Sequence, residues 1–218
     1  MRLQILVFLF IFGPVFNSIS PLVDFIIFTS FGVLGISVLK SKGLYIAPFF
    51  KKFLILIPFF VIIGGIGLAT GFLIGDFISI VLRSIRILVT LFASYEIAKL
   101  FLKEHQERLL PELFKAIFIA MVIHSLIMIY QFISPTFKDF VYKFTTNGNF
   151  RSSFDYNFRM GGLTGSTGGA ILSIVQAVGV ILVPFLFNFY NTKRTKLLLV
   201  LGGLLNFSAV LLSGRSGL

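Results

Sequence analysis

Apolar runs separated by short basic or polar breaks recur along the whole chain. They fall at roughly 3–16, 20–39, 53–75, 77–98, 114–134, 169–189 and 197–213. A helix needs about twenty such residues to cross a bilayer. The pattern predicts an all-α, polytopic helical membrane protein with about seven transmembrane helices. The first run is short and fits half of a hairpin. The expected organisation is one transmembrane domain over 1–218, with 135–168 as its outer, periplasmic loop.

Composition sharpens this picture. The chain of 218 residues is 57% hydrophobic and 12% charged, against about 25% charged for soluble domains. Mean hydropathy is +1.01. The net charge of +11 would suggest nucleic acid if it were gathered on one surface. Instead the basic residues sit in the breaks at 40–52, 99–113 and 190–196, where they orient membrane helices, and no nucleic-acid partner is implied. Met1 and those connections are expected on the cytoplasmic side, with 135–168 and the end of the last helix outside. "MRLQILVFLFIFGPVF" lacks a small-residue cleavage site and reads as a retained first helix. Cysteine is absent, which removes disulfides and thiolate metal sites. No cluster has metal-ligand spacing, and no cofactor is expected.

The fourth run holds the costliest residues, Arg83 and Arg86. At about 100° per residue, Asp76, Ser79, Arg83, Arg86, Thr90 and Ser94 fall within roughly 80° of one another. This polar stripe predicts a helix face turned to a cavity or a polar neighbour. The spacing Gly67, Gly71, Gly75 predicts a packing face instead. The outer loop carries Arg151 and Arg159, and "GGLTGSTGG" follows at the door of the sixth run. It is neither a P-loop nor a nucleophile elbow. It is expected either to offer open backbone N–H groups and the hydroxyls of Thr164, Ser166 and Thr167 at a helix N-terminus, which suits phosphate, or to be a flexible turn whose small residues allow tight packing. Arg215 sits in "LLSGRSGL" at the outer mouth of the last run. Guanidinium groups on one side of the membrane suit a diphosphate, whose oxygens they bind two at a time. His124 is expected to be a packed, hydrogen-bonded histidine, and His105 a solvated one.

"RMGGLTGSTGGAILSIVQAVGVILVPFL", followed one helix later by "LLSGRSG", resembles the O-antigen polymerase and O-antigen ligase superfamily. The first segment corresponds through Arg159, Gly162, Thr164, Gly165 and Ser166. The second corresponds through Ser213, Gly214, Arg215 and Gly217, with serine and arginine exchanged in order. Arg151 and Gly162 also fit an arginine and glycine spacing of such polymerases. The resemblance implies metal-independent glycosyl transfer at the outer face of the bacterial inner membrane, from an undecaprenyl-pyrophosphate-linked oligosaccharide. It implies that Arg83, Arg86, Arg151, Arg159 and Arg215 bind the pyrophosphate. Membrane lipid and other polysaccharide-assembly proteins are the implied partners.

The resemblance covers the N-terminal half of the family architecture, so the chain is expected to be that half, with the general base elsewhere. Three functions stay open at this point. The first is a repeat-unit polymerase of O-antigen or capsule, or its sister ligase to lipid A-core. The second is a non-enzymatic carrier of an anionic or lipid-linked solute. The third is a remnant without activity.

Overall fold

The computed structural model describes residues 2–14, 25–41, 56–69, 74–145, 160–163 and 170–213. Regular structure among them is helical, with no strand. In chain order the helices are α1 (Arg2–Phe12), α2 (Phe25–Ser41), α3 (Leu56–Ala69), α4 (Ile74–His105), α5 (Leu109–Ile133), α6 (Pro135–Thr145), α7 (Ala170–Phe189) and α8 (Lys193–Ser213). The chain divides into two compact units, one of Met1–Ile26 with Phe101–Leu218 and one of Ile27–Leu100.

Three helical stretches among the described residues are long and apolar enough to cross a membrane: Ile85–Ile133, Leu172–Phe189 and Lys193–Ser213. The expectation of seven is met to that extent. The first two runs are apolar but give shorter helices; the first ends at Phe12, where Gly13-Pro14 follows. The fourth run grows to 32 residues. Its polar tail "EIAKLFLKEH" is built from good helix formers, with Lys103 and His105 in the last turn, where cations meet the negative end of the helix dipole. A 3-10 turn at Gln106–Arg108, with Gln106 at φ 43°, separates α4 from α5.

Helix α6 lies inside the stretch expected to be loop. Ser134 starts it: its carbonyl accepts from the Lys138 N–H at 3.0 Å, and its hydroxyl oxygen accepts from the Phe137 N–H at 3.3 Å. Pro135 occupies the first helical position, where its missing N–H costs nothing. The buried residues Lys138, Val141, Tyr142 and Thr145 repeat at helical spacing. Capping chemistry, rather than an apolar run, makes this helix.

In the first unit, α8 packs against α7 and α5, and α1 and α6 pack against α5. Phe118, Leu182, Leu186 and Leu199 form the apolar core. Phe114 meets Phe185 edge to face at 4.8 Å between ring centroids. Gly202 brings α8 close to α5, since a Cβ there would lie 2.6 Å from Phe118 Cζ. At one end of this unit the Tyr190 hydroxyl donates to Glu112 Oε1 at 2.7 Å, and Lys115 Nζ is 3.3 Å from Glu112 Oε2. Burial and the Glu112 carboxylate hold the Tyr190 phenol above the usual tyrosine range. Glu112 and Gln131 are separated by about 28 Å along α5 at 1.5 Å per residue.

Candidate functional site

The seam between α5, α7 and α8 is buried at helical intervals, yet many of its positions are polar. His124, Ser125, Gln131, Gln176, Asn206 and Ser213 are all fully buried. The outer faces of the same helices are apolar: Ile174, Ile181, Leu201, Leu204, Phe207 and Leu211 are all exposed. A water-soluble bundle has the reverse arrangement.

Buried polar groups need partners, and four of these, His124, Ser125, Gln176 and Asn206, are linked to one another. Gln176 Nε2 lies 2.6 Å from His124 Nδ1. Ser125 Oγ is 2.7 Å from Asn206 Oδ1 and 3.2 Å from Gln176 Oε1. The His124 ring stacks on Phe12 of α1, with 4.1 Å between centroids and 10° between planes. Its other nitrogen, Nε2, accepts the backbone N–H of Leu163 at 3.2 Å.

That last bond decides the protonation of the whole chain of groups. A backbone N–H can only donate, so Nε2 is bare and Nδ1 carries the imidazole proton. Nδ1–H then needs an acceptor. Turning the Gln176 amide about its terminal bond exchanges its oxygen and nitrogen and supplies one. The single Ser125 proton goes to the nearer acceptor, Asn206 Oδ1, and the Gln176 amide donates to the Ser125 oxygen. Donation then runs one way, from His124 through Gln176 and Ser125 to Asn206. Asn206 Nδ2 has no partner among the described residues. It faces Gly179, where a Cβ would lie 2.8 Å from Asn206 Cγ.

Residues 160–163 are held against this seam by every backbone N–H they have. Met160 N–H donates to Leu212 O at 3.0 Å. Gly161 N–H donates to Tyr142 Oη at 2.9 Å, and Leu163 N–H to His124. Gly162 N–H donates to Gln131 Oε1 at 3.0 Å, while Gln131 Nε2 donates back to Gly162 O at 3.2 Å. Gly162 has φ +59°, a region that other residues enter at a cost. Ser173 Oγ and Ser213 Oγ lie 3.0 Å apart beside this turn. Burial pushes the Tyr142 phenol up, and the Gly161 hydrogen bond opposes that shift.

These positions correct part of the sequence reading. On one expectation the glycine segment presents open N–H groups to phosphate, but at 161–163 they are occupied by Tyr142, Gln131 and His124. Gly162 serves the turn itself. Ser213 is buried against Ser173 and pairs α8 with α7. On the α4 stripe, the hydroxyls of Thr90 and Ser94 bond carbonyls of their own helix: Thr90 Oγ1 donates to Arg86 O and Ser94 Oγ to Leu91 O, each at 2.7 Å. Arg86 is exposed, in the second unit. In that unit Glu96 accepts from Ser37 Oγ at 2.7 Å and from Lys99 Nζ at 2.9 Å. The side chain of Arg83, and residues Arg151, Arg159, Thr164, Gly165, Ser166, Gly214, Arg215 and Gly217, lie outside what the structure describes.

His124 is the packed, hydrogen-bonded histidine the sequence implied. Its partners were not visible there. Gln131 and Gln176 were missed altogether, although a glutamine inside an apolar run is itself a signal. Three of the four groups of the relay lie on different helices or far apart in sequence, and spacing alone could not join them.

Among the described residues, fold and site together define a helical protein with three stretches long and apolar enough to cross a membrane, and a hydrogen-bonded polar seam beneath the apolar outer faces of α5, α7 and α8. No protein-family model matches the chain, and no curated protein or solved structure is similar to it.

Proposed function

We propose that this is a multi-pass protein of the bacterial inner membrane that transfers a polyprenyl-diphosphate-linked glycan during assembly of a surface polysaccharide. Membrane embedding is supported by the apolar exterior and buried polar seam, and by a length along α5 near the 30 Å of a hydrocarbon core. The observation that carries the functional reading is the bond from Met160 N–H to Leu212 O. It joins the two segments that resemble the superfamily, at one end of the unit. Arg159 is one residue from that bond along the chain and Arg215 is three.

In this reading Arg159 and Arg215, which flank the joined segments in sequence, bind the diphosphate. As the anomeric C–O bond to phosphate breaks, the leaving diphosphate gains charge, and fixed guanidinium groups favour that transition state. The acceptor hydroxyl oxygen forms the new glycosidic bond and gives up its proton. The three basic connections face the cytoplasm, which puts the joined segments outside.

The test is polysaccharide chain length in a strain lacking the native gene and complemented with Arg159→Ala or Arg215→Ala. Polymer reduced to a single repeat on lipid A-core, at normal protein level, is the expected result for a polymerase. Bare core with accumulated lipid-linked polymer would identify a ligase. Unchanged chain length in both variants refutes the site.

A further inference from the structure

We propose that His124, Gln131 and Tyr142 are positioning residues that lock the 160–163 turn, and that Gln176 of α7 sets the His124 tautomer that makes this lock possible. The three side chains come from two helices, α5 and α6, and each takes a different N–H of the same turn. Gln131 is the most specific of them, because its amide reads both the N–H and the C=O of Gly162. Such a paired contact fixes the rotation of the peptide as well as its distance.

Gln176 acts on the turn through His124. Its role follows from the donor inventory. Leu163 can be accepted only by an unprotonated Nε2, and a neutral imidazole then carries its proton on Nδ1. The buried Gln176 amide, turned so that its oxygen takes the position 2.6 Å from Nδ1, accepts the Nδ1–H hydrogen bond and passes the constraint to Ser125 and Asn206 on α5 and α8. Orientation of a working histidine by a second buried group is the same logic that fixes metal-bound histidines. Here the histidine serves a backbone N–H. Met160 at one end of the turn is bonded to Leu212 and buried, so the turn is held to α5, α6 and α8 at once. The chain leaving it in either direction, toward Arg159 and toward Thr164, starts from a fixed point.

The experiment is amide hydrogen exchange at residue resolution on the full chain in detergent micelles. His124→Asn and Gln176→Leu are expected to speed exchange at Leu163 about tenfold, the loss of one buried hydrogen bond. Gly161, held by Tyr142, should keep its rate in both. His124→Gln, which can place an acceptor oxygen near the site of Nε2, should leave Leu163 slow. Tyr142→Phe removes one oxygen atom, and so tests the lock without removing the buried ring; it should speed Gly161 alone. An unchanged Leu163 rate in both His124→Asn and Gln176→Leu overturns the inference, as does a uniform rise across all three amides. The lock rests on these hydrogen bonds and not on the glycan-transfer reading, which the Arg159 and Arg215 variants test separately.

Discussion

Gly162→Ala is the most informative single change in this structure. Two separate penalties meet at one added methyl group. The backbone sits at φ +59°, where an L side chain costs about 1–2 kcal/mol. The new Cβ would also lie 2.5 Å from His124 Cε1 and 3.0 Å from Cδ2, with Nε2 nearer still. The ring cannot retreat easily, since Phe12 is stacked on it and Gln176 and Leu163 hold its nitrogens. Overpacking of this kind costs about 1–3 kcal/mol. The sum, about 2–5 kcal/mol, corresponds to a fall in Tm of about 4–20 °C for a chain of this length. The two penalties can be separated by repeating the change in a His124→Ala background. Without the ring only the backbone penalty remains, so the cycle should return a coupling of about 1–3 kcal/mol. Thermal unfolding in micelles, followed by far-UV circular dichroism, reads all four proteins. An equal loss in both backgrounds would show that residue 162 does not meet the imidazole and would refute the placement of the turn.

Ser134→Ala should lower stability by about 1 kcal/mol through loss of the α6 cap, measured by the same melts; no change would remove the cap from the account of α6. Gly202→Ala should cost about 1–3 kcal/mol by forcing α8 away from Phe118, and Phe118→Leu in the same chain should recover part of it. Tyr142 gives a pH signature. Its folded pKa is raised, so the stability it contributes is present below the unfolded value near 10 and is lost as pH rises beyond it. The stability difference between the native chain and Tyr142→Phe should therefore shrink above about pH 10; a constant difference across pH 8–11 would argue against a buried phenol at this position.

Some of this protein could be read directly from its residues. Helix positions followed the apolar runs, because a backbone in an apolar segment satisfies its own hydrogen bonds only as a helix. The break after Phe12 was written in Gly13-Pro14, and α6 in Ser134-Pro135, although the second signal is local capping chemistry and was hidden by the weaker hydropathy around it. Burial of His124 also followed from its place in an apolar run. The polar seam did not. Gln131, Gln176 and Asn206 are separated by dozens of residues; only the packing of α5, α7 and α8 gives Gln176 and Asn206 their partners, and only the docked 160–163 turn gives Gln131 its own. The glycine segment shows the difference most sharply. Its composition is equally suited to an open phosphate cradle and to a closed turn, since glycine permits both. Tertiary structure chose the closed turn at 161–163 by placing three buried acceptors within reach of three backbone donors, and a buried donor left unpaired is costly.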